Sequence, residues 1–259
     1  MAINSTSNDQ QRRAFIAGAS AGIGRALALR LARLGWQVVI SSRRQAALDE
    51  IVAEDASLTP YLLARAADVT DVDALRTAFD NAEAEIGAID TLVLNAGDYD
   101  PMRLDEFDPA LFDRLMRVNF LGAVNGIAAA MPRMRERGAG QILVTASVAG
   151  YRGLPQAAAY GASKAAVLNM AEALKPEVDA TGVRLRVINP GFVRTQLTAK
   201  NDFTMPQLIT PEQAADYITR EIDGSHFEIV FPKRFGWTLK LLRMLPYRLY
   251  FAITRRMLG

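Results

Sequence analysis

The chain has 259 residues, half of them hydrophobic and 22% charged, enough apolar material for one large α/β core or two small ones. It contains no cysteine, which excludes disulfide frameworks, thiolate catalysis and cysteine zinc sites; its one histidine, His226, reads as a surface or strand-edge residue, so neither a Ser-His-Asp triad nor a metal cluster is expected. Net charge is +2, yet residues 229–259 carry seven basic residues and no acidic one, against 23 basic and 28 acidic residues in the rest, so the basicity belongs to the tail and not to a nucleic-acid groove.

Residues 1–12 are polar and lack the apolar core of a signal peptide, so a flexible lead-in is expected. Arg13–Ala17 then reads as a strand and Gly22–Leu34 as a helix. Gln37–Ser41 is a β-branched strand, Gln45–Asp55 a second helix and Tyr61–Ala66 a weaker strand. Thr70 opens a helix with Asp73 three residues on, the spacing of a capping box. Ile89–Leu94 is the fourth strand. Asp108-Pro109 begins a long helix running to Arg137, because aspartate caps well and proline is tolerated at the first helical position. A strand over Gln141–Ser147, a helix over Ala158–Ala180 and a strand over Val183–Ile188 follow, then a last pair, Pro211–Asp223 and Phe227–Phe231. Pro176 should disturb the end of its helix by removing a backbone hydrogen bond. No apolar run approaches the ~20 residues of a membrane-spanning helix. Continuous apolar strands separated by helices imply a parallel sheet covered on both faces. With no Pro-, Gly- or Ser-rich boundary, the expectation is one doubly wound α/β domain of about seven strands over residues 13–235. Residues 236–259 form a basic, aromatic helical extension of it.

Between the first strand and first helix lies Gly18-Ala19-Ser20-Ala21-Gly22-Ile23-Gly24. Glycines there let the backbone turn sharply and approach a pyrophosphate, while the helix start offers unpaired N–H groups and a positive dipole end. The second strand ends in Ser41-Ser42-Arg43-Arg44, where an acidic residue would bond a ribose 2′-hydroxyl. Ser42 leaves that space open and Arg43 can grip a 2′-phosphate, with Arg44 assisting; this favours NADP, with NAD as the alternative.

Tyr160-Gly161-Ala162-Ser163-Lys164 sets a phenol and an ammonium four residues apart, on one helix face. A free tyrosine, with a pKa of about 10, is a poor acid or base near neutrality, and a neighbouring lysine charge should bring that value down. Ser147 lies 13 residues earlier, where its hydroxyl can polarise the same oxygen. Asn119 falls inside the long predicted helix, an unfavourable position unless the side chain has a task. Asn95-Ala96-Gly97 closes the fourth strand, where the chain must pass close to a bound nucleotide.

Together the G-x-x-x-G-x-G turn, Asn95-Ala96-Gly97, Asn119, Ser147 and the Y-x-x-x-K pair resemble the short-chain dehydrogenase/reductase family, in order and at family-like separations, from about Arg13 to Phe231. Two positions depart from the family pattern: Ala17 replaces a threonine before the first glycine, and Leu94 the first asparagine of N-N-A-G. The resemblance implies a Rossmann-like fold and hydride transfer between a nicotinamide and a carbonyl or secondary alcohol. It further implies that Tyr160 is the acid/base, that Ser147 orients the substrate oxygen, and that Lys164 bonds the ribose and depresses the tyrosine pKa. Asn119 would hold a relay water. Gly18, Ser20, Ala21, Gly22, Ile23, Gly24, Ser42, Arg43, Asn95, Ala96 and Gly97, with Tyr160 and Lys164, would line the nucleotide. Asp68 and Val69 match the adenine-binding pair, and Pro190, Gly191, Val193 and Thr195 the segment holding the carboxamide. A homodimer or homotetramer through residues 108–137 and 158–180 is implied as well. A catalytically inactive NADP sensor or scaffold is the alternative, though it would not require Asn119, Ser147, Tyr160 and Lys164 together.

Substrate choice falls to residues 98–103, 148–156 and 192–209; the last holds Phe192, Leu197, Phe203, Met205 and Leu208, either an apolar lid over a lipophilic small molecule or side chains packed on the domain. The tail, interrupted by Pro246, reads as two short helices with three open roles: peripheral contact with anionic lipid, a cap on the pocket, or a subunit interface. The absence of cysteine fits a cytoplasmic enzyme, membrane-associated if the first role holds.

Overall fold

A computed structural model describes residues 11–257, so residues 1–10 of the expected lead-in and 258–259 of the extension lie outside it. Seven strands form one parallel sheet in the order β3-β2-β1-β4-β5-β6-β7: β1 (Arg13–Ala17), β2 (Gln37–Ser42), β3 (Leu62–Ala66), β4 (Thr91–Leu94), β5 (Gln141–Thr145), β6 (Arg184–Pro190) and β7 (Glu228–Phe231). The sheet is Rossmann-like and doubly wound, as the continuous apolar strands require. Side chains alternate across it, so Phe15 and Ala17 enter one apolar layer while Ala14 and Ile16 enter the other. Helices α1 (Gly22–Arg33), α2 (Gln45–Glu54) and α7 (Pro211–Glu221) supply buried Leu27, Leu48 and Ile218 to the layer of Ile16. Helices α3 (Val72–Ile86), α5 (Gly122–Glu136) and α6 (Ala158–Asp179) supply Phe79, Met134 and Val167 to the layer of Phe15.

The structure corrects the sequence reading at four places. Thr70 is not the helix cap: its hydroxyl and amide bond Asp68 Oδ1, and Asp71 caps α3 by accepting from the amides of Asp73 and Ala74. The long helix from residue 108 is three pieces. Asp108 caps α4 (Pro109–Leu115) as expected, a π-helical turn spans Met116–Leu121, and α5 follows. β5 stops at Thr145, two residues short of Ser147, which instead caps a 3₁₀ turn, its Oγ accepting from the Ala149 amide at 3.1 Å. β6 runs two residues beyond Ile188, to Pro190. As expected, the helix of Pro176 runs on past it: α6 (Ala158–Asp179) ends one residue before Ala180.

The chain closes with α8 (Lys233–Met244) and α9 (Tyr247–Thr254), which meet at Pro246. On β6, buried Arg186 donates to the carbonyls of His226, Glu221 and Ile222 at 2.6, 2.8 and 3.0 Å, closing the C-terminal end of α7. His226 itself is exposed. No described helix is long and apolar enough to cross a membrane.

Candidate active site

Connections leave β1 and β4 toward opposite faces of the sheet, and the crevice this reversal opens beyond the strand ends gathers the predicted residues. Gly18 sits there at φ +85°, and its amide and that of Ala19 both donate to Ser41 O, at 2.8 and 3.0 Å. A side chain at Gly18 would meet the Ala96 backbone at 2.4 Å, and one at Gly24 would meet Gly18 O at 2.2 Å. Asn95 locks the turn, donating from Nδ2 to Gly18 O at 3.0 Å while its Oδ1 accepts from Thr145 at 3.3 Å. Asn95 thus acts by joining the glycine turn to β5, a role its position after β4 does not announce.

The start of α1 fits a phosphate group. Its cap residue, Ala21, offers no side-chain acceptor to the first-turn amides, and no acidic residue stands in that turn. At the end of β2, Arg43 and Arg44 are exposed and, among the described residues, make no ion pair, while the buried Ser42 Oγ has no hydrogen-bond partner. Ser20 and Arg44 line one depression of about 540 Å³ beside α2. Asp68 spends Oδ1 on Thr70, and Val69 packs against Gly122 with its carbonyl accepting from Asn125 at 2.9 Å.

Tyr160 projects from the first turn of α6, with Ser147 and Lys164 around it. Burial raises the phenol above its ordinary value and the Ser147 hydroxyl, a hydrogen-bond partner, pulls it back in part. Among the protein's own groups the balance is upward, contrary to the depression the Tyr-Lys pairing suggests. Lys164 explains why: it is buried, its Nζ lies 5.8 Å from the Tyr160 ring centre, and it donates to Thr145 O at 2.8 Å. Burial lowers Lys164 itself to about 8. Ser147 Oγ also reaches Pro190 O at 3.4 Å.

Asn119 occupies the π turn, where a widened backbone displaces its side chain from the regular helical position. Its Oδ1 accepts from the Asp98 amide at 2.7 Å; its Nδ2 donates to Asp98 O at 3.0 Å and to Ser163 Oγ at 2.9 Å. Ser163 in turn donates to Tyr160 O at 2.7 Å, so Asn119 ties the loop after β4 to the first turns of α6. A Cβ at Gly97 would stand in ordinary contact with Asn119 Oδ1 at 3.4 Å and Lys164 Nζ at 3.6 Å, which places this glycine between the two side chains. Thr195 Oγ1 lies 3.4 Å from the Thr198 hydroxyl, which donates to Val193 O at 2.6 Å.

Two residues at the site were not singled out from sequence. Ser163 had only its place between Tyr160 and Lys164 to mark it; its burial and its bond to Asn119 appear in the fold. Tyr99 had no such mark: its ring stands edge-on to Tyr160, centres 5.0 Å apart, and its hydroxyl donates to Asn201 at 2.6 Å. Burial, with smaller contributions from Tyr160 and acidic neighbours, pushes Tyr99 up to about 12. Lys200 bonds Asp100 at 2.6 Å and Tyr99 O at 2.7 Å. Residues 192–209, closed at their base by the Val193–Ile209 bridge, are therefore stapled across the crevice to residues 98–100. Phe192 packs between Phe203 and Phe235, at 5.7 and 5.5 Å.

Comparisons with known proteins agree with this geometry. A family model described as short chain dehydrogenase matches residues 12–205. An uncharacterized oxidoreductase of Myxococcus xanthus is 36% identical over 250 residues, 95% of this chain and 97% of that one. The probable oxidoreductase EphD of Mycobacterium tuberculosis is 37% identical over 213 residues, which cover 80% of this chain but 35% of that longer protein. Among solved structures, a short-chain dehydrogenase from Streptomyces avermitilis is similar at 25% identity and TM-score 0.76, with 90% of this chain and 92% of that one covered. An alcohol dehydrogenase from Thermococcus sibiricus complexed with 5-hydroxy-NADP is also similar, at 25% identity and TM-score 0.77, covering 86% and 96%.

Proposed function

The chain belongs to the short-chain dehydrogenase family and is an oxidoreductase; from that premise we propose that it prefers NADP(H) over NAD(H) and acts on the carbonyl or secondary alcohol of a lipophilic small molecule. The observation that carries the reading is the meeting of Ser147, Tyr160 and Lys164 beside an uncapped helix start. A bound nicotinamide dinucleotide would supply the hydride acceptor or donor. The first-turn amides of α1, with Ser20, Ala21, Gly22 and Ile23, would hold its phosphates. Asp68, Val69, Asn95, Ala96 and Gly97 would border the adenosine and ribose side, and Pro190, Gly191, Val193 and Thr195 the carboxamide side. Exposed Arg43, free of carboxylate partners among the described residues, and a serine in place of a carboxylate at position 42, its buried Oγ without a partner, favour a 2′-phosphate. The similar alcohol dehydrogenase solved with an NADP derivative is consistent with that preference.

Tyr160 is the acid and base at the substrate oxygen. Its raised pKa keeps the proton on the phenol for donation during reduction. Ser147 orients that oxygen, and Lys164 keeps two N–H donors beyond the one given to Thr145. Asn119 shapes the turn and borders the proton route toward Lys164. The aromatic wall of Tyr99, Phe192 and Phe203 supports a lipophilic substrate. The proposal takes residues 13–235 as the catalytic domain and 236–259 as its extension. It places the protein in the cytoplasm and assembles it as a homodimer or homotetramer through α4–α5 and α6.

The test follows nicotinamide absorbance against a panel of ketones, aldehydes and secondary alcohols with NADPH/NADP and NADH/NAD in parallel, for the native protein and Tyr160→Phe. We expect turnover favouring the phosphorylated cofactor, and a fall of about 10³-fold or more in the variant with nucleotide binding retained. Equal turnover by Tyr160→Phe would overturn the acid/base assignment, and preference for NADH would overturn the cofactor preference.

A further inference from the structure

The two C-terminal helices are anchored on one side and unfinished on the other. Gly236 and Leu239 of α8 and Tyr250 and Thr254 of α9 are buried against the body. Arg152, from the loop after Ser147, fixes the corner between the helices. It donates to the carbonyls of Leu242, Arg243 and Leu245 at 3.2, 2.9 and 2.7 Å, and its guanidinium lies over Tyr250 at 3.9 Å and Tyr247 at 4.9 Å. The orientation of the pair is therefore set by the substrate loop.

Away from these anchors the same helices expose apolar side chains in a way the rest of the surface does not. Eight of the thirteen large hydrophobic side chains exposed among the described residues fall between Trp237 and Met257. On α8, Trp237, Leu241 and Met244 recur at helical spacing and are 62%, 59% and 72% exposed; on α9, Leu249, Phe251 and Ile253 are exposed as well. Arg234, Arg243, Arg248, Arg255 and Arg256 are exposed around them and, among the described residues, make no salt bridge. No acidic residue occurs from 229 to the end of the chain.

We propose that α8 and α9 dock this protein on an anionic lipid bilayer, the exposed apolar side chains entering the interface and the unpaired arginines meeting headgroup phosphates. Charge complementarity selects this occupant. A second copy of the chain across a two-fold axis would set arginines against arginines, because the patch has no acid to answer them. A nucleic acid would satisfy the arginines but leave Leu241, Met244 and Ile253 in water. A bilayer interface takes both components at once, and short basic helices with aromatic and aliphatic outer faces lie in its plane. Because Arg152 ties the pair to the loop after Ser147, and Phe235 of α8 packs on Phe192, docking would bring the substrate side of the crevice to the lipid surface. The inference rests on the surface alone and stands or falls apart from the proposed reaction.

The two tryptophans make the experiment direct, since Trp36 is buried and Trp237 exposed. Full-length protein is mixed with vesicles of phosphatidylcholine alone or phosphatidylcholine with phosphatidylglycerol, and Trp emission and co-sedimentation are read together. The expected result is a blue shift and sedimentation with the anionic vesicles only, weakened by salt. The triple variant Arg243→Gln, Arg248→Gln, Arg255→Gln should partition roughly 100-fold more weakly, from about fivefold per charge removed. Circular dichroism and unfolding confirm that this exposed triple variant is folded; the separate variant Trp237→Phe should lose the blue shift and keep most of the sedimentation. No binding to anionic vesicles, equal binding to neutral ones, or equal partitioning by a folded triple variant overturns the proposal. So does duplex DNA binding as tight as vesicle binding, or self-association through the patch without lipid binding.

Discussion

The two halves of the crevice are built by different means. On the β1–β3 side the functional groups are backbone: a glycine turn pressed against the chain after β4, and helix amides left without a cap. On the β4–β6 side they are side chains from distant segments: Asn119 of the π turn bonds Ser163 of α6, and Lys164 of α6 bonds the Thr145 carbonyl at the end of β5. A site made of backbone tolerates many residues but no added carbon at the contact; a site made of side chains tolerates shifts of backbone but no change of functional group.

The sharpest way to break this contrast is Gly18→Ala. The added methyl must enter the left-handed region and meet Ala96 backbone at 2.4 Å, for a cost of about 4 kcal/mol from strain and overpacking together. Urea unfolding of the variant checks it, and a loss below 1 kcal/mol would mean that the turn is not held by backbone contact. Next comes Lys164→Met, which keeps the stem and removes the buried charge. A lysine lowered to about 8 destabilises the fold while charged, fully below pH 8, and the penalty is relieved as pH rises from 8 toward 10.5. Native protein should therefore gain about 3 kcal/mol relative to the variant across that window. Paired unfolding curves at pH 7 and pH 10 measure the gain, and a constant difference between the two proteins would show that Lys164 is not desolvated. The smallest effect is at the exposed end of β2. Arg43→Ala should weaken NADP binding by about tenfold and leave NAD unchanged, read by calorimetry with both nucleotides; an equal loss for both would remove the 2′-phosphate from the account.

The same contrast explains what was legible in the sequence. The first half was read nearly whole, because a strand, a glycine turn and an amphipathic helix are local patterns, and β1, α1 and β2 fall within one residue of expectation. The proposed catalytic residues were legible as types in order, but their connections were not. A π turn changes neither composition nor apolar period by enough to divide residues 108–137, and Asn119 alone marked it as a polar residue where a helix has no use for one. Tyr99 gave no signal, since its partner Asn201 is 102 residues away and comes within reach only when β4 and β6 lie on either side of β5. The upward balance on Tyr160 was hidden for a related reason. Four-residue spacing promises an ion beside the phenol, and burial, which spacing does not report, decides the sign.

The Arg152 latch also bears on how such enzymes can be recombined. Three carbonyls of the α8–α9 corner and two tyrosine rings depend on one guanidinium that belongs to the loop after Ser147. The tail is therefore not a portable module. A chimera that grafts residues 233–257 onto another scaffold must carry residues 148–156 with it, or the transplanted helices arrive without the joint that sets their angle.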